Sequence, residues 1–143
     1  MRPGDAHPRP PAPRTFACFT TGHPDRIWTA LTDPTLTRRY LYGLELRSDW
    51  VPGSNIEVVL RDEACLGGQV LCVQTGRRLS YLLCSSDDDP AIYVTWLLRP
   101  CGDGTVVTLQ LDDLDVAEGN ADSCSEDVWL PVLAALQDAI ADR

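Results

Sequence analysis

The spacing of hydrophobic and polar positions changes several times along the chain, and the changes mark out its elements. Residues 15–21 (TFACFTT) are rich in aromatic and β-branched side chains, which predicts a first strand. From residue 24 the spacing turns helical. Ile27, Trp28 and Leu31 supply a buried stripe behind Pro24, whose missing N–H costs nothing at a first helical position. Asp33-Pro34 stops this helix and opens another, with Asp33 as N-cap, Leu36 and Tyr40 one turn apart on the inner face, and Gly43 at the end.

Beyond Gly43 strand signals take over. Residues 44–50 predict a strand, 51–54 (VPGS) a turn with proline and glycine in type II order, and 56–60 the next strand. Gly67-Gly68 is read as leading into a strand over 69–74, which Gly76 turns back into a strand over 78–84. Residues 85–90, with three consecutive aspartates, predict an exposed loop. The strands at 91–99 and 105–111 have the clearest pattern, and Cys101-Gly102-Asp103-Gly104 joins them as a hairpin. Helical spacing returns from Asp122. Ser123 and Glu126 are placed as a capping box, and Trp129, Val132, Leu133, Leu136 and Ile140 fall on one apolar face. Pro131 inside this run predicts a kink, or a helix regular only from residue 128.

This order predicts an α+β fold. A strand and two short helices precede a curved antiparallel sheet of about six further strands, and the long C-terminal helix lies across the concave face. The space between helix and sheet is then the default ligand site. Alternation selects the side chains that face it. Arg99 belongs on the solvated face, so Val94, Trp96 and Leu98 point inward, followed by Val107, Leu109 and Leu111 on the next strand and Leu79, Tyr81 and Leu83 on the preceding one. Tyr40 joins them from the second helix, and Trp129, Leu133 and Leu136 from the last.

Length and charge narrow the function. A chain of 143 residues is read as one domain over 15–143, behind a disordered tail over 1–14 that holds five of the eleven prolines. A net charge of −9 argues against nucleic acid and acidic membrane surfaces. No apolar run approaches the ~20 residues of a membrane span and no secretion signal is seen, which predicts a cytoplasmic protein without membrane insertion. The six cysteines form no C-x-x-C pair and are read as reduced, small apolar groups. No metal and no cofactor are expected.

Candidate chemistry is sparse. His23 is better placed as a helix cap than as a base, no G-x-S-x-G elbow occurs, and the acidic stretches at 87–89 and 112–115 lack calcium-loop spacing. No catalytic residue is assigned. The polar groups placed inside are Tyr40 and Tyr81, with Arg78 and Asp49 as further candidates to orient a ligand.

Five stretches carry a family resemblance: DRIWTALTDPTLTRRYLYG (25–43), SDWVPGS (48–54), GGQVLCVQTGRRLSY (67–81), VTWLLRPCGDGTVVTLQL (94–111) and WLPVLAALQDAI (129–140). Together they resemble the SRPBCC or START-like superfamily, in the branch named after the activator of heat-shock-protein-90 ATPase. The resemblance implies the helix-grip fold, with a cavity beneath the long helix. The chain departs from the pattern at Val128-Trp129, at Pro131 and in the acidic segment 112–124. The resemblance implies a domain that binds an apolar or aromatic small molecule, such as a lipid or polyketide-type metabolite. Its alternatives are a cyclase, dehydratase or hydrolase acting on such a metabolite, and self-resistance by sequestration, since enediyne self-resistance proteins have START-like folds. Co-chaperone activity ranks last, and no protein partner is identified.

Overall fold

The computed structural model describes residues 14–84, 92–113 and 126–141. The tail over 1–13, the acidic loop over 85–90 and the Ser123 side of the capping box lie outside the described residues. Chain order is β1 (Arg14–Thr21), α1 (Pro24–Thr32), α2 (Pro34–Tyr40), β2 (Glu45–Arg47), β3 (Asn55–Leu60), β4 (Glu63–Gln74), β5 (Arg78–Cys84), β6 (Ile92–Cys101), β7 (Gly104–Asp113) and α3 (Glu126–Ala141). The strands form one antiparallel sheet in the order β1-β7-β6-β5-β4-β3-β2, so only β1 leaves its sequence neighbours. It pairs along its whole length with β7, from Arg14 opposite Leu111 to Thr21 opposite Gly104. The fold is the expected α+β helix-grip, a curled sheet gripping its C-terminal helix.

Local chemistry explains the helix pair. The His23 side chain caps α1 by accepting from the Asp25 N–H, and the Asp33 carboxylate caps α2 by accepting from the Thr35 N–H at 2.9 Å. A proline follows each cap. Thr37, buried in α2, donates to the Pro34 carbonyl and accepts from the Leu46 N–H at 3.0 Å, which ties α2 to β2.

The strand ends depart from expectation most at β2 and β4. β2 keeps only three of the seven predicted residues, because Trp50 takes φ 55 ahead of the turn and its indole N–H donates to the Thr32 carbonyl at 2.9 Å. β4 begins at Glu63, well before the glycine pair, and runs through it. The reversal falls instead at Arg61 and Asp62, both with positive φ, in a two-residue hairpin loop. Gly68 sits in mid-strand because a Cβ there would lie 2.2 Å from the Leu82 carbonyl oxygen of β5. β1 starts at Arg14, one residue before the predicted edge.

Helix α3 continues through Pro131, whose ring lies on the exposed side. The helix packs on α2, β1 and α1. Arg26 donates to the Ile140 carbonyl at 3.1 Å near its end, and Gln137 donates to the Phe19 carbonyl on β1 at 2.7 Å. Among the described residues no helix is long and apolar enough to cross a membrane.

Candidate functional site

Alternation along β5, β6 and β7 and the inner stripes of α2 and α3 bring one set of side chains into a common interior. Tyr40, Leu79, Tyr81, Val94, Trp96, Leu98, Val107, Leu109, Leu111, Trp129, Leu133 and Leu136 are all buried there. Leu83 is half-buried against them. The register explains the match: Leu79 stands opposite Trp96 and Tyr81 opposite Val94, while Trp96 stands opposite Leu109 and Leu98 opposite Val107. Leu79, Val94, Trp96, Leu109 and Leu136 have no accessible surface at all, so no space large enough for a water molecule touches them.

Contacts link four of the aromatic rings of this interior. Tyr40 meets Trp96 edge to face, with centroids 6.1 Å apart and planes at 86°. The Trp96 indole N–H donates to the Tyr81 hydroxyl at 3.0 Å. Tyr81 in turn lies 6.1 Å from Trp50, tilted by 59°. Trp50 was not anticipated as part of the site. Its position beside the VPGS turn masks it, since a tryptophan next to a tight turn gives no periodic signal.

The polar atoms are few and unevenly satisfied. The Tyr40 hydroxyl is buried and has no hydrogen-bond partner among the described residues. Leaving such a group unmet costs about 1–3 kcal/mol. Burial pushes the Tyr40 phenol well above its ordinary value, and the nearby Tyr81 hydroxyl pushes it the same way. Burial also raises Tyr81, and the Trp96 hydrogen bond offsets only part of that rise. Both are therefore neutral phenols at physiological pH, able to donate a hydrogen bond but poor as bases. No charged side chain is among the buried described residues.

Two polar candidates belong elsewhere. Arg78 and Asp49 are both exposed. Because Leu79 and Tyr81 face in, Arg78 must face out with Ser80, and the two line a shallow groove of about 290 Å³ on the convex face with Thr95 and Gln110. A bulge between Val70 and Cys72 turns Cys72 toward the same groove. His23 is an exposed cap, paired with Asp25. Cys18, Cys72 and Cys101 are free thiols.

Comparison with known proteins agrees with this fold. The family profile for activator of Hsp90 ATPase homolog 1-like proteins matches residues 22–141. No curated protein matches the sequence at a significant level. Among solved structures, protein MLL2253 from Mesorhizobium loti superposes with a TM-score of 0.73 at 21% identity, covering 90% of this chain and 98% of its own. CalU16 from Micromonospora echinospora gives 0.69 at 23% identity, covering 89% and 74%. DynU16, described as a protein of the dynemicin biosynthetic locus, gives 0.72 at 18% identity over 89% of this chain, which spans 46% of DynU16. At these identities the likeness is one of fold.

Proposed function

This chain belongs to the activator of Hsp90 ATPase homolog 1-like family, and on that premise we propose that it binds an apolar or aromatic small molecule between the sheet and α3. The observation that carries the reading is the Tyr40 hydroxyl, buried in a largely apolar interior and without a partner among the described residues. A domain that served only as a scaffold gains nothing from that hydroxyl, since phenylalanine would fill the same space without the penalty. A ligand with an acceptor atom turns the penalty into binding energy. The lining favours a flat aromatic guest, because Tyr40, Trp50, Tyr81 and Trp96 offer both ring faces and edges.

The close packing sets a condition on entry. Since no water-sized space touches Trp96 or Leu136, a guest reaches Tyr40 only when α3 and the sheet separate locally. Binding is favoured over turnover because the two interior phenols are held neutral. A base that must first lose a proton at a strongly raised pKa is inactive near pH 7. The resemblance in fold to a protein of the dynemicin locus supports a polyketide-type metabolite as the natural guest, and holding such a compound would sequester it.

The test is thermal melting of the full chain with a series of flat aromatic compounds. A guest at a hundred times its Kd adds about 2.7 kcal/mol and raises Tm by several degrees. If no member of the series moves Tm, the reading is wrong.

A further inference from the structure

Two interior hydroxyls flank one indole, and each has a proton without an acceptor among the described residues. Tyr40 stands edge to face with the Trp96 ring, and its hydroxyl has no partner. Tyr81 stands at the Trp96 nitrogen and accepts from it at 3.0 Å. An indole N–H is a donor only, so this bond occupies a lone pair of Tyr81 and leaves the phenol proton free to be given elsewhere. An acceptor atom placed against the Tyr81 hydroxyl would therefore satisfy it. Tyr40 can donate as well. A carbonyl oxygen has two lone pairs and can take both.

Charge limits the class further. Thr20, Thr37, Ser80 and Thr105 are the only buried polar side chains besides the aromatic ones, and no cation is buried among the described residues. A carboxylate or phosphate brought into this interior would lose its hydration with no counter-charge, and an ammonium would fare no better. From this juxtaposition, and resting on the binding function proposed above, we propose that the guest is a neutral aromatic ketone or quinone whose carbonyl oxygen is held by the Tyr40 and Tyr81 hydroxyls. Both phenols remain protonated throughout the neutral range, which keeps the donor pair intact.

Three probes of one skeleton separate the possibilities: fluorene, 9-fluorenone and fluorene-9-carboxylate, titrated calorimetrically into the full chain. Fluorenone should bind about tenfold tighter than fluorene, and the carboxylate weakest of the three. Tyr40→Phe should shrink the ketone's advantage over fluorene to about threefold. Tyr81→Phe strands the Trp96 N–H and can fail to fold, so the second donor is read by infrared spectroscopy of carbonyl-labelled fluorenone. Its C=O stretch should move to lower frequency on binding, and part of that shift should survive in Tyr40→Phe. Equal binding of fluorene and fluorenone overturns the ketone proposal but leaves an aromatic-binding interior standing. Tightest binding by the carboxylate overturns it too, as does complete loss of the infrared shift in Tyr40→Phe. Binding by none of the three overturns both this proposal and the function it rests on.

Discussion

Tyr40 faces opposite demands from folding and from binding. Its ring is core, packed edge to face with Trp96, whereas its buried hydroxyl has nothing to bond among the described residues. Tyr40→Phe should therefore stabilise the free protein by about 1 kcal/mol in urea unfolding, while weakening the binding of a carbonyl-bearing guest. A hydroxyl with a purely structural role gives the reverse sign, a loss of stability on removal. The same burial fixes a pH dependence. Unfolded tyrosine ionises near 10.0, and both Tyr40 and Tyr81 are raised above that in the folded chain. Above pH 10 the unfolded state thus holds fewer protons than the folded one. The pair's contribution is complete below pH 10 and should be lost as pH rises, at about 1.4 kcal/mol per pH unit for each tyrosine, until the folded groups themselves ionise. Comparing unfolding midpoints between pH 9 and 11 in the parent and in Tyr40→Phe isolates one half of that slope.

Elements with a local chemical signal were legible in the sequence, and those set by tertiary contact were not. Two proline-started helices followed from His23-Pro24 and Asp33-Pro34, where cap and first position adjoin. The glycine pair misled, because glycine usually punctuates a strand. Here Gly68 lies inside β4 to admit the Leu82 carbonyl, a constraint that belongs to the neighbouring strand. The real turn used Arg61 and Asp62, a pair without the usual Asn-Gly signature. Two substitutions test these assignments. Gly68→Ala forces a Cβ onto a backbone oxygen at 2.2 Å and should unfold the β4–β5 pairing or cost several kcal/mol, roughly the upper range for overpacking. Thr37→Val removes the acceptor of the Leu46 N–H and should cost about 1–3 kcal/mol, visible as lost amide protection at Leu46.

On the scale of the whole molecule, the sheet grips α3 through large side chains, among them Trp96 and Leu136, which are fully buried. Strand alternation was enough to place Leu79, Tyr81, Val94, Trp96, Leu98, Val107, Leu109 and Leu111 on the inner face, because a period of two leaves only one choice once Arg99 faces out. Alternation says nothing about polar satisfaction, so the unmet Tyr40 hydroxyl and the Trp50 ring became visible only with the packing. The central claim is that a flat aromatic guest enters between the sheet and α3. Isotope-filtered nuclear Overhauser spectroscopy tests it most directly, with methyl-labelled protein and saturating 9-fluorenone. The account predicts cross-peaks from the guest's ring protons to the methyls of Leu79, Leu109 and Leu136. Cross-peaks confined to exposed methyls such as Leu71 at the convex groove and Leu130 on α3 would contradict it.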